Sequence, residues 1–260
     1  MSTSAAELRI VALPDFPHVK QGDDLAAMTV ALAARAGLEL RSDDVLVLAQ
    51  KIVSKAEGRR VDLKTITPGP RALEIAATVQ KDPRLVELVL RESRRIVRMA
   101  KDVLIVEHRL GWVMANAGID QSNVAEPGSG EFALLLPEAP DASATGLRER
   151  LRELTGSTPA VVISDSFGRP WRLGTVGIAL GCAGIAATLD LRGQTDLFGR
   201  PLRVTVVGHA DEVAAAASLM MGQAAEARPV VLVRGLPSQD PQRHQPAASL
   251  IRQPEQDLFR

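Results

Sequence analysis

A carboxylate and a hydroxyl stand side by side at Asp165 and Ser166, and two guanidinium groups follow at Arg169 and Arg172. Hard oxygen donors of this kind suit Mg²⁺ or Mn²⁺, and arginines close behind them can meet an anion. The apolar run Ala160, Val161, Val162, Ile163 leads into them and reads as a buried strand, so both oxygens are expected to emerge where that strand ends. Ligand sites of α/β proteins favour such ends. Taken alone, the same residues also describe a strand running into a solvated turn.

Two other stretches carry matching chemistry. The apolar residues 45–49 run straight into Gln50, Lys51 and Lys55, whose cations could both reach a phosphate from a strand end. An exposed helical turn with solvated lysines is the alternative. Residues 116–123 offer the Asp120 carboxylate, the Asn116 and Asn123 amides, and Gly118 for close backbone approach. An Asx-rich turn would use the same residue types for purely local reasons. With the amide of Gln223, the donors are two carboxylates, a hydroxyl and an amide, a set that fits Mg²⁺ or Mn²⁺ better than zinc. Such a metal site with lysines and glycine turns points to nucleoside triphosphate chemistry, in which the metal neutralises charge on the phosphates.

The elements that must hold these groups read as an α/β (mixed α+β) chain. Strands are expected over residues 8–13, 45–49, 102–107, 112–116, 132–136, 160–163, 204–207 and 230–233. The pair 102–107 and 112–116 reads as a hairpin turning near Leu110 and Gly111. Helices are expected from Leu25 with Asp23 or Asp24 as N-cap, over 70–80, from the Asp82-Pro83 start, over 141–155 up to Gly156, and over 212–223. Arg91, Arg94, Arg95 and Arg98, interleaved with acids and lacking aromatics, read as a solvated helix face. Leu219, Met220 and Met221 are expected to be buried around the last helix. Residues 126–130 read as loop. Gly177, Gly181 and Gly184 suggest a strand approached closely by other backbone; their spacing fits neither a phosphate loop nor a dinucleotide fingerprint.

Composition bounds the function. Lys plus Arg and Asp plus Glu both number 31, so bulk charge gives no argument for nucleic acid or an acidic membrane as partner, neither is expected, and any anion site must be local. No signal peptide or apolar run of spanning length is seen, and the single Cys182 forms no internal disulfide; the cytoplasm is the expected compartment. Cys182 among glycine and alanine reads as a packing residue. With no nucleophilic serine motif, His209 reads as a capping or packing residue.

At this point the segments together resemble one family, the coenzyme F420-0:L-glutamate ligases, which build the gamma-linked oligoglutamate tail of a deazaflavin coenzyme. Residues 13–25 (LPDFPHVKQGDDL) resemble its N-terminal nucleotide loop and 53–59 (VSKAEGR) its lysine segment. Residues 116–123 (NAGIDQSN) and 164–185 (SDSFGRPWRLGTVGIALGCAGI) are similar to its two metal segments. Residues 196–206 (DLFGRPLRVTV), 211–223 (DEVAAAASLMMGQ) and 229–235 (PVVLVRG) complete the order.

The resemblance implies a two-lobed, family-specific ligase fold with mixed sheets over residues 1–237, an intertwined homodimer, and a C-terminal arm or linker over 238–260. That arm is similar to the segment joining a flavin reductase domain in bifunctional members. The implied reaction uses GTP and two Mg²⁺ or Mn²⁺ ions, with a monovalent cation as a further candidate, to activate a carboxylate of F420-0 for attack by L-glutamate. Asp120, Asp165, Ser166 and Gln223 fall on metal-binding positions. Phe16, Pro17, His18, Val19, Gln50, Lys51, Lys55, Asn123 and the run Met221, Gly222, Gln223, Ala224, Ala225, Glu226, Ala227, Arg228 fall on nucleotide-binding ones. Asp165 and Lys55 are also expected to serve the reaction directly, and Arg169 and Arg172 are expected, from charge and position, to contact substrate anions.

One departure is visible. The family's loop after the last long helix is glycine-rich, whereas Ala224, Ala225 and Ala227 stand here. An alanine at positive φ would strain that loop by about 1 kcal/mol. Two other readings stay open, a coenzyme-binding homologue without catalysis and a related ligase for another phosphorylated acid.

Overall fold

The computed structural model describes residues 6–124, 130–237 and 240–257. Most of the loop expected over 126–130 lies outside the described residues.

The chain begins with β1 (Arg9–Ala12), α1 (Leu25–Arg35), β2 (Val45–Ala49), α2 (Gln50–Ala56) and β3 (Arg60–Asp62). Asp24 caps α1, its carboxylate accepting from the Ala27 N–H at 3.0 Å, and Pro14, Pro17 and Gly22 keep the preceding segment irregular. Next come α3 (Pro70–Val79), α4 (Pro83–Arg91), β4 (Ser93–Ala100), β5 (Val103–His108), β6 (Val113–Ala115) and β7 (Phe132–Leu134). Then α5 (Pro140–Thr155) leads to the long hairpin β8 (Ala160–Arg169) and β9 (Arg172–Ala183). The short pair β10 (Leu189–Asp190) and β11 (Val206–Val207), α6 (His209–Met221) and β12 (Val230–Arg234) follow.

Five strands form the central sheet in the order β1-β12-β2-β8-β9. Only β2 and β8 run parallel; the other neighbours are antiparallel. The strand stretches inside the sheet, Val45–Ala49, residues 160–163 and residues 230–233, are apolar throughout because both faces are covered. Leu46, Leu48, Val161 and Ile163 enter a core with α1 and α5, while their neighbours Val45, Val47 and Val162 face Val213, Ala214 and Ala217 of α6. A third core joins α3 and α4 to Leu104, Val106, Ile119 and Leu135. Trp112, Met114, Leu136, Phe167 and Leu180 form a smaller cluster where β6 meets the β8–β9 hairpin. No helix among the described residues is long and apolar enough to cross a membrane.

Two glycines of β9 do what close approach demands. A Cβ on Gly177 would lie 2.4 Å from the Ala214 carbonyl oxygen of α6, and one on Gly181 would lie 2.3 Å from the Pro140 carbonyl at the start of α5. They meet helices on opposite faces because the register shifts between them. Gly181 pairs with Ile163 and Ala179 with Ser164, leaving Leu180 as the extra residue of a bulge.

Several expectations need correction. Arg94, Arg95 and Arg98 do not extend a helix: α4 ends at Arg91 and the arginines lie on β4, where Arg95 Nε pairs with Glu107 at 2.8 Å. Charge on a mostly exposed strand hides the period that would reveal it. Leu219 is 80% exposed and Met220 is also exposed, so the end of α6 protrudes rather than being buried all round. The strand expected over 204–207 is confined to two residues. Residues 240–257, in the expected arm or linker, lie against the sheet. Asp141 Oδ1 accepts the N–H groups of Ala247 and Cys182 at 2.7 and 2.9 Å, and Ala247 is fully buried against the sheet.

Candidate active site

The parallel ladder between β2 and β8 ends at the pair Ala49 and Ser164, and the site begins there. Asp165 and Ser166 do not terminate β8, as the apolar run suggested. The strand continues to Arg169, and the bulge at Ser164 redirects it as it leaves β2 behind. Asp165 lies just beyond the point where the parallel pair stops. Beside it, β2 passes directly into α2, which presents Gln50, Lys51 and Lys55.

Those α2 side chains reach the segment that follows β6. Ser54 donates to Gln50 Oε1 at 2.9 Å, which aims the Gln50 Nε2 donor at Asp120 Oδ2, 3.4 Å away. Lys51 Nζ lies 3.3 Å from the same oxygen and donates to Ser122 Oγ at 3.0 Å. One turn on, Lys55 Nζ donates to the Asn123 carbonyl at 2.7 Å, and Asn123 Nδ2 donates to the Ala224 carbonyl at 3.1 Å. Five expected residues therefore fall into two hydrogen-bonded sets, Gln50, Lys51 and Asp120 in one and Lys55 and Asn123 in the other, which meet at the adjacent residues Ser122 and Asn123.

Asp120 is placed by backbone. It exchanges two hydrogen bonds with Leu134, at 3.0 and 2.8 Å. Three successive left-handed residues, Asn116 (φ 52°), Ala117 (φ 54°) and Gly118 (φ 67°), turn the chain ahead of it. Only Gly118 is permitted that conformation cheaply, and its missing side chain leaves room for Met114 and Leu136.

Electrostatics tie Asp165 to this group. Burial pushes its carboxyl up to about 7, the charge of Asp120 pushes the same way, and the Ser166 N–H and Lys51 only partly offset them. Burial also raises Asp120 against the pull of Lys51. Two carboxylates that disfavour each other's charge in a partly closed site match a divalent cation, which would reverse both shifts. Among the described residues no three His, Cys, Asp or Glu side chains gather as a metal cluster. A cation held by Asp120 and Asp165, with Ser166 as a further candidate donor, would leave coordination positions for phosphate and water, as Mg²⁺ prefers. Lys55 is lowered by burial first, then by Lys51 and Arg60, which marks the area as short of negative charge away from the carboxylates.

Other expected residues are placed differently. Phe16 and Val19 are buried in the α1 core, so Pro17, His18 and the backbone are what their loop exposes. Met221 packs partly against the α6 core. Gly222, Gln223, Ala224, Ala225, Glu226, Ala227 and Arg228 form the loop reached by Asn123. No hydrogen bond joins Gln223 to Asp120 or Asp165 among the described residues. The Glu226 carboxylate folds back on this loop, accepting from the Ala224 N–H at 2.8 Å and lying against Gly222. Ala227 has φ 53°, so an alanine does occupy a left-handed position there. Arg169 and Arg172 face each other at the end of the β8–β9 hairpin, roughly 13 Å along the strand from Asp165 at strand rise.

Lys81 was not singled out from sequence. Its ammonium donates to Asn116 Oδ1 at 3.1 Å, in a cleft that also contains Asp120. A lone lysine between two helices carries no motif; its placement before the Asp82-Pro83 cap was the available signal.

Comparison with known proteins followed the same line. The family described as F420-0:Gamma-glutamyl ligase matches residues 15–235. A coenzyme F420:L-glutamate ligase of Methanopyrus kandleri is 46% identical over 255 residues, covering 97% of this chain and 98% of that protein. One from Methanothermobacter thermautotrophicus is 44% identical, covering 97% and 99%. One from Archaeoglobus fulgidus is 43% identical over 231 residues, covering 88% and 89%.

Proposed function

The chain belongs to the F420-0:gamma-glutamyl ligase family and is a ligase; on that premise we propose that it joins L-glutamate to coenzyme F420-0 in a GTP-dependent reaction, working in the cytoplasm. The observation that carries this reading is the group formed by Lys51, Lys55, Asp120 and Asp165, brought together from α2, the segment after β6 and β8. Carboxylates facing lysines at a sheet end suit a metal-bound triphosphate.

In this reading the GTP γ-phosphoryl group passes to a carboxylate of the acceptor. The glutamate amine then attacks the acyl carbon, the C–N bond forms, phosphate leaves with the C–O electron pair, and the nitrogen gives up a proton to the departing phosphate or to water. Asp120, Asp165 and Ser166 would hold Mg²⁺ or Mn²⁺, with Gln223 joining them if its loop closes; bound cations supply charge neutralisation at the phosphates. Lys51 and Lys55 exchange their contacts at Ser122 and Asn123 for phosphate oxygens. Pro17 and His18, with the backbone of Phe16 and Val19, and the loop from Gly222 to Arg228 border the nucleotide. Arg169 and Arg172 meet the acidic acceptor, and a monovalent cation is a further candidate ion.

A homodimer is part of the same proposal. Trp171, Leu173, Leu197, Phe198, Val204 and Leu219 are each at least 80% exposed, and large apolar side chains left in water favour cover by a second copy. A second copy covering them would bring a partner up to the hairpin that bears Arg169 and Arg172. Sedimentation should show a dimer, and a monomer at working concentration would remove this part.

The deciding experiment is mass spectrometry of F420-0 incubated with the protein, L-glutamate, GTP and Mn²⁺. Stepwise addition of glutamyl residues with equal release of GDP is expected. Coenzyme binding without GDP release would favour the reading without catalysis, which the left-handed Ala227 motivates. Ligation of a different phosphorylated acid alone would redirect the substrate assignment.

A further inference from the structure

We propose that Lys81 is a substrate-binding residue that holds a carboxylate of the incoming amino acid in the cleft beside Asp120. This rests on the ligase reading and assigns a part of the site which that reading leaves open. The cleft has a volume of about 470 Å³, room for a small amino acid, and its walls include Lys81, Leu85, Asn116, Asp120 and Ser122.

The lysine is held on both sides. Gln80 ends α3 in a left-handed conformation, the Lys81 N–H donates to the Ala76 carbonyl at 3.2 Å, and Asp82 caps α4 immediately afterwards. Little backbone freedom is left in this joint, and the Asn116 amide oxygen holds the ammonium in the cleft.

Charge bookkeeping singles it out. Of the cleft's acids, Asp82 is paired with Arg84 at 2.5 Å and Asp120 with Lys51 at 3.3 Å. Lys81 has only the neutral Asn116 amide oxygen, at 3.1 Å, and among the described residues it makes no ion pair. A cation with a neutral partner at the mouth of a cleft is set to receive an anion at no cost in a broken ion pair. Asn116 is itself held in a left-handed conformation followed by a left-handed Ala117, a departure that persists where the surroundings over-determine it. The turn thereby sets Asn116 against Lys81 and Asp120 in one cleft.

The donor count selects the ligand. One ammonium and one amide match a carboxylate, whereas a phosphate or triphosphate would use the larger set around Lys51 and Lys55. The amino acid's carboxylate at Lys81 would leave its amine directed toward the acyl group formed beside Asp120.

Lys81→Met keeps the aliphatic stem and removes the charge. The Michaelis constant for L-glutamate should rise about 10- to 100-fold, the span of one charged hydrogen bond, with kcat little changed. Lys81→Arg should recover part of that loss, constants for GTP and F420-0 should stay within about twofold, and melting temperature should be unaltered. Calorimetry of L-glutamate into protein with GDP and Mg²⁺ gives a readout independent of turnover. Glutamate binding that depends on Lys81 in a protein that does not ligate F420-0 would support the proposal and sink the ligase reading. A fully ligating wild type with an unchanged glutamate constant in Lys81→Met would overturn the proposal and leave the ligase reading standing. A rise in the F420-0 or GTP constant alone would also overturn it, and so would a wild type that neither binds nor ligates glutamate.

Discussion

The two sides of the candidate site are built by different means. Gln50 and Lys51 open α2 where β2 ends, and Asp165 lies on β8 just past its parallel pairing with β2, so these polar groups line the site without being part of the apolar core. Asn116 and Asp120 come from a short left-handed turn whose members Ala117 and Ile119 are themselves core residues. On the first side, chemistry and stability are separable; on the second, the residues that aim the carboxylate also hold the fold. Substitutions should reveal this asymmetry.

The largest effect is expected at Asp165. Asp165→Asn should lower kcat/KM by at least 10²–10³-fold, the scale for losing one pre-positioned electrostatic group, while thermal stability holds or rises because a repelled carboxyl is gone. Steady-state kinetics beside melting curves test both halves, and a large loss of stability would contradict the separation claimed here.

On the other side, Gly118→Ala should cost about 2–4 kcal/mol of stability. Its new Cβ would lie 2.6 Å from Met114 Cε and 2.8 Å from a Leu136 methyl, at φ 67°. Denaturant unfolding measures it, and activity should fall with the folded fraction.

A smaller effect concerns pH in the metal-free protein. Asp165 titrates at about 7 in the folded chain against 3.8 for a free aspartate, so folding favours its protonated form. Its contribution to stability is present below about pH 4 and is lost as pH rises through about 7. His209 is lowered by burial and works in the opposite sense, so the useful quantity is the difference between the wild type and Asp165→Asn. In chelator, the melting temperature of the wild type should fall relative to the variant between about pH 4 and pH 7 and level off above that. Parallel curves would show that Asp165 is not held in this way.

The smallest effect is expected in the loop. Ala227→Gly should add up to about 1 kcal/mol if the left-handed strain outweighs the entropy of glycine in the unfolded chain. Calorimetry should show tighter GTP binding if that strain weakens the loop.

Sequence reasoning reached the covered elements more readily than the exposed ones. Residues 45–49 and 230–233 are strands because burial on both faces demands uninterrupted apolar residues, a pattern visible without coordinates. Asp24 and Asp82 mark helix starts for local reasons and do so here. The continuation of β8 through Asp165 to Arg169 was hidden because a strand leaving its core loses the apolar signal. The same cause concealed β4. Four of the site residues were grouped by chemical type, yet their geometry depends on pairing between Lys51 and Asp120, distant in sequence, which no local pattern encodes. Lys81 was missed because its meaning comes only from what faces it.

The order of the central sheet has a consequence for how the chain is made. β12, residues Val230–Arg234, lies between β1 and β2, which are synthesised some 200 residues earlier. Until it emerges from the ribosome, the first strand has no place in the sheet and one edge of Val45–Ala49 stays unpaired. An apolar edge left open that long is a template for unwanted pairing. Folding of the sheet therefore awaits the synthesis of β12, and a shortened chain lacking β12 should aggregate rather than yield a smaller active protein.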